Sequence, residues 1–113
     1  MIIATRQLTV VAEDGHQQGV KVDFYLPVQR SGSWYCKFDI AWPDGNESGE
    51  MGGADSVQAL FNALQMVGLR VYSSKYHTSG ELAWGVSGGG GYGFPVPKAA
   101  RNLLVGTDKR FYG

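Results

Sequence analysis

The stretch Asp55 to Ser74, DSVQALFNALQMVGLRVYSS, limits the fold more than any other part of the chain. Apolar side chains recur at Val57, Leu60, Phe61, Leu64, Val67 and Val71. That is the i, i+3, i+4, i+7 spacing of one stripe on an α-helix. Gln58, Asn62, Gln65 and Arg70 fall on the opposite face. Asp55 suits the N-cap, because its carboxylate can accept from the unpaired N–H groups of the first turn, and Gln58 makes a box-like partner. Gly68 is read as an interior glycine rather than a C-terminal cap, since Val71 continues the stripe past it, at a cost of about 1 kcal/mol relative to alanine. Such a helix must lay its stripe on something, and the residues before it supply a sheet.

Ile2 to Ala12 reads as a strand with Leu8, Val10 and Ala12 on one face. Asp14-Gly15 is turn chemistry. Val20 to Val28 alternates most cleanly, with Val20, Val22, Phe24, Leu26 and Val28 on the buried side; Pro27 places its end at an edge or stops it. Trp34 to Trp42 repeats the pattern through Cys36, Phe38 and Ile40, and Pro43-Asp44-Gly45-Asn46 turns the chain again. Glu47 to Gly52 is at best a weak, polar fourth strand. After the helix, Lys75 to Gly80 reads as a loop and Glu81 to Val86 as a short strand. Ser87 to Gly93 is glycine-rich, so ordering it costs much chain entropy. Phe94 to Pro97 is extended, Lys98 to Val105 can form a short helix ended by Gly106, and Thr107 to Gly113 is a basic, aromatic tail. Strands followed by one long helix predict a two-layer α+β domain, an antiparallel sheet packed against that helix.

With 113 residues, the chain predicts one domain, 1–113, with one core. The formal charge is zero, which removes a global electrostatic case for nucleic acid. The charges are nevertheless segregated: net −4 over Met1 to Leu69, net +4 from Arg70 onward. Such a division can steer a charged partner, although two solvated faces can also differ by chance. No basic leader precedes an apolar run, and no segment approaches the roughly 18 apolar residues of a membrane span. With a lone Cys36 that can form no internal disulfide, this predicts a soluble, cytoplasmic protein with no membrane partner.

Chemistry-bearing residues are sparse. The run SGGGGYGFP lacks the Gly-Lys-Ser/Thr and the following helix of a phosphate loop, so it reads as a flexible connection or a binding loop. His16 and His77 have no ligand at i+3 or i+4, and no metal or cofactor is expected. Cys36, between Trp34 and Phe38, reads as a small buried hydrophobe rather than a nucleophile. Asp44, Glu47, Glu50 and Asp55 form an acidic stretch with nothing apolar enough to raise a pKa. They read as a solvated edge or as a lure for a basic partner. Only Lys109-Arg110-Phe111-Tyr112 interleaves bases with aromatics, too little for nucleic-acid stacking.

Trp34-x-Cys36-x-Phe38, then Asp55-Ser56-x-Gln58-Ala59-Leu60, then Gly93-Phe94-Pro95 resemble a family of small bacterial proteins known only as a domain of unknown function. In size and layout the chain is also similar to immunity proteins encoded beside contact-dependent bacterial toxins, a fold-level likeness. The resemblance implies no catalytic residue. The expectation is a non-enzymatic protein-binding module, plausible as an immunity protein that occludes a toxin. Its expected contacts are Asp44, Glu47 and Glu50, with Tyr92 on the Gly88–Tyr92 loop. The alternative is a small-ligand or regulatory module with a pocket beside the glycine loop. Oligomeric state is not legible.

Overall fold

The computed structural model describes residues 1–85 and 90–113. Strand β1 (Ile2–Val11) pairs antiparallel with β2 (Gln17–Tyr25) across the Asp14-Gly15 turn. Gly15 takes φ +85°, and the Asp14 carboxylate accepts from the His16 N–H at 2.8 Å, an Asx-type closure. The expected strand Val20 to Val28 is divided. Pro27 has no N–H to give, and the pairing slips by one residue between Phe24 opposite Phe38 and Val28 opposite Tyr35. The chain therefore continues as β3 (Val28–Arg30), and Leu26 and Val28, expected on the buried face, are exposed.

Strand β4 (Ser33–Trp42) is the sheet's spine. Strand β5 (Gly45–Gly53) pairs along it from Trp42–Gly45 to Trp34–Gly53, so β2 and β3 share its other edge. The weak strand expected over Glu47 to Gly52 is thus full length. Its polar sequence concealed it, because its contribution to packing is an absence of side chain: a Cβ on Gly49 would overlap the Phe38 ring. The short β6 (Leu82–Ala83) pairs with Thr9 and Val10 of β1 and completes six antiparallel strands. The expected Glu81 to Val86 strand is therefore shorter, and Val86 lies outside the described residues.

Helix α1 (Ser56–Tyr72) follows, capped as its sequence predicts. The Asp55 carboxylate accepts from the Gln58 N–H at 2.8 Å, while Gln58 Oε1 reaches back to the Ala54 N–H at 2.6 Å. Gly68 is interior, and its missing Cβ leaves room for the Pro95 carbonyl. The stripe, however, is rotated. Ala59, Ala63, Val67 and Val71 are buried, Leu60 and Leu64 only partly so, and Val57 and Phe61 stand 74% and 50% exposed. The cause is close approach. Helix α1 lies over β4 and β5, where a Cβ on Gly53 would overlap the backbone at Ala59. Small residues meet the sheet there, which turns Phe61 outward.

Helix α1 is not the only helix. Lys75–Thr78, expected as loop, is α2, capped by the Ser74 hydroxyl. Lys98–Leu103 is a 3-10 turn, and the tail forms α3 (Gly106–Tyr112), so Gly106 starts a helix rather than only ending one. The α+β class and the sheet-on-helix layering hold. The core joins the inner face of the strands (Leu8, Val20, Val22, Phe24, Cys36, Phe38, Ile40) to α1 and to Tyr92, Phe94, Val96, Ala100 and Leu104. Cys36 is fully buried, its thiol donating to the Tyr25 carbonyl at 3.4 Å.

Candidate functional site

The extended segment Tyr92 to Val96 covers the part of the sheet that α1 leaves bare, with the Phe94 and Phe24 rings 6.0 Å apart. A carboxylate holds that segment in place. Asp108 of α3 is 1% exposed and accepts three bonds: from the Tyr72 hydroxyl at 2.5 Å, the Tyr92 N–H at 2.7 Å and the Gly93 N–H at 2.8 Å. Gly91, at φ +90°, has no Cβ to strike that carboxylate. The Tyr92 hydroxyl meets His77 Nδ1 at 2.6 Å, and the Tyr72, His77 and Tyr92 rings pack edge to face. An imidazole protonated on Nε2 satisfies this pair, its bare Nδ1 accepting the phenol proton. Burial lowers the His77 pKa and favours that neutral ring. Burial also raises Tyr92 to about 12, and burial with the Asp108 hydrogen bond raises Tyr72. The cluster is therefore a set of protonated phenols, a neutral imidazole and a fully satisfied carboxylate.

Beside the Tyr92–Val96 segment lies a cleft of about 600 Å³. Its floor is Phe24 and the start of β1, from Ala4 to Arg6. Helix α1 contributes Phe61, Leu64 and Gln65 to its lining, and the segment contributes Gly93 to Val96. Arg101 and the last residues, Phe111 to Gly113, close the rim. Arg6 enters between two rings, its guanidinium 4.1 Å from the Trp84 ring centre and 4.8 Å from that of Phe94. Its Nη1 donates to the Gly93 carbonyl at 2.8 Å and to that of Tyr92 at 3.2 Å. Burial lowers the Arg6 pKa from its ordinary value.

The acidic residues expected to meet a partner are each matched within the chain. Asp44 accepts from Lys75 at 3.1 Å and from the Tyr76 hydroxyl at 3.0 Å, which, with Lys75 first, hold its pKa low. Glu47 pairs with Arg70 and accepts from the Trp42 indole at 2.8 Å. Glu50 is gripped by both Arg30 nitrogens, at 2.6 and 3.1 Å, which lowers its pKa. Asp44 and Glu47 line a smaller hollow of about 330 Å³ beside the stacked rings of Trp42 and Tyr76. Tyr92, expected on an exposed loop, is 4% exposed and belongs to the buried cluster. Gly88 lies outside the described residues.

Sequence reasoning left Arg6, Arg101 and Asp108 as bare charges and His77 as a loop residue. One signal was present: in the basic half of the chain only Glu81 and Asp108 are acidic, and an isolated acid among aromatics invites a buried role. Among the described residues no three His, Cys, Asp or Glu side chains are grouped to hold a metal, and no helix is long and apolar enough to cross a membrane. No curated protein and no solved structure matches the chain. The family described as a domain of unknown function (DUF6968) matches residues 4–96, which carry nearly the whole sheet, all of α1 and the Tyr92–Val96 segment, and the chain belongs to that family.

Proposed function

We propose that the chain is a non-enzymatic binding module whose ligand occupies the cleft between α1 and the Tyr92–Val96 segment. The observation that carries this reading is the cleft itself. At about 600 Å³, with Phe24, Phe61, Leu64 and Phe94 on its walls, it falls within the size and apolar character of small-molecule sites. A non-catalytic role fits the chemistry of the nearest titratable cluster. Tyr72 and Tyr92 hold their protons more tightly than free phenols, His77 is neutral, and all three face one another rather than the cleft. Occlusion of a toxin by the acidic rim draws less support, since Asp44, Glu47 and Glu50 are already neutralised from within.

The test is a titration of isotope-labelled protein with a neutral apolar probe, 1-decanol, below its aggregation limit. Amide shifts should concentrate at Phe61, Leu64, Gly93, Phe94 and Val96. Leu64→Trp, which fills the cleft, should abolish them. Shifts scattered over the surface and unaffected by that substitution would reject the cleft as the site. A protein partner is a second reading, favoured by the exposed Ile2, Ile3, Leu26 and Val28 at the end of the sheet where Met1 bonds to Leu26. It is checked by whether Leu26→Glu changes the sedimentation of the protein with a candidate partner; no change would discount it.

A further inference from the structure

Within that reading, we infer that the ligand is a free monocarboxylate with an apolar body, its head group held between Arg6 and Arg101. The inference rests on a mismatch of charge inside an apolar cleft. Two guanidinium groups line it, and among the described residues neither has a carboxylate within ion-pair distance. Arg30, Arg70 and Lys75 each meet an acid from a distant element; among the described residues Lys37, Lys98, Lys109 and Arg110 do not pair either, but none of these four lines the cleft. Arg6 is half-buried, and its bonds among the described residues, to the two carbonyls at 92 and 93, run through Nη1 alone. A partly desolvated guanidinium with donors to spare attracts an oxyanion, and its fixed fork suits the two oxygens of a carboxylate.

The surroundings set the rest of the ligand. Phe61 and Phe111 are large aromatics that both line the cleft, 50% and 73% exposed. Exposed aromatics of this kind are covered when an apolar body lies in the cleft. The basic half of the chain supplies Arg101, so the positive field and the greasy walls meet at one place. A monovalent head matches two arginines of which one already serves two carbonyls. A polyanion would find too few cations and too much apolar wall.

Calorimetry with sodium decanoate and 1-decanol, both below their aggregation limits, tests this. Decanoate should bind at least about tenfold more tightly than decanol, as expected when a charge-assisted hydrogen bond replaces a neutral one. Arg101→Gln, an exposed position whose loss leaves the core intact, should erase most of that preference by weakening decanoate far more than decanol. Raising salt should narrow the gap. Equal affinity for the two compounds, or a preference untouched by Arg101→Gln, would overturn the carboxylate assignment and leave the cleft as an apolar site. If neither compound moves the amides of Phe94 and Val96, both the assignment and the binding-module reading fall.

Discussion

Replacing Asp108 by asparagine tests whether one carboxylate fastens the C-terminal helix to the rest of the fold. The substitution keeps the shape, so no cavity term enters. Oδ2 takes two donors, Tyr72 Oη and Tyr92 N, and Oδ1 takes one, Gly93 N. An asparagine oriented to keep the first two points its NH2 at the Gly93 N–H; the flipped orientation points it at the Tyr92 N–H and makes the Tyr72 hydroxyl an acceptor. Either choice leaves a backbone N–H without an acceptor, at about 1–3 kcal/mol, and strips the charge from the two bonds that remain. A total near 2–3 kcal/mol follows, or a fall in Tm of roughly 6–15 °C for a domain of this size. Urea titration should show a lower midpoint with an unchanged m-value. Tyr72→Phe removes one of the same donors, so the double variant should be less destabilised than the two singles predict, with a coupling of about 0.5–3 kcal/mol. A midpoint within about 0.5 kcal/mol of the parent, or strict additivity with Tyr72→Phe, would refute the idea that Asp108 is the anchor.

Gly68→Ala should destabilise by about 1–3 kcal/mol despite alanine's better helix propensity, because the new methyl overlaps the Pro95 carbonyl; a rise in Tm would contradict this. Leu64→Ala should cost about 1–2 kcal/mol, less than for a central leucine, since Leu64 is half-buried at the cleft wall, and a loss above about 4 kcal/mol would show it to be core. Burial lowers the His77 pKa, so below the ordinary imidazole value of about 6.5 the unfolded chain binds more protons than the folded one. Stability should be full above that pH and decline as pH falls through the window beneath it. His77→Gln, which keeps an acceptor for Tyr92, should flatten the decline between about pH 5 and 7, and parallel urea midpoints for the two proteins would exclude His77 as its source.

The sequence made the alternation of β2 and β4, the Asp55 cap and the interior place of Gly68 legible, because each depends on contacts within a few residues or on one buried face. It hid β5, whose role is to bring little side chain: Gly49 admits the Phe38 ring and Gly53 admits the backbone of α1. That concealment propagates. A helix drawn close by glycines buries alanines, so the periodic stripe through Val57 and Phe61 points away from the sheet it was expected to meet. Periodicity states that a helix has two faces, but the strand beneath decides which residues each face contains. Phe61, displaced in this way, becomes a wall of the cleft. The other half of the cleft comes from chain positions some thirty to fifty residues later, where Asp108 pins Gly93 and Phe111 reaches the rim. No local pattern announces a site whose halves meet through contacts far apart in sequence: Asp108 with Tyr72 and Gly93, Arg6 with Gly93, and Phe24 with Phe94. It follows that the cleft and the anchor rise or fall together: loosening Asp108 should release Gly93 from Arg6 and weaken binding in the cleft, and ligand affinity unaffected by Asp108→Asn would mean that the two are physically separate.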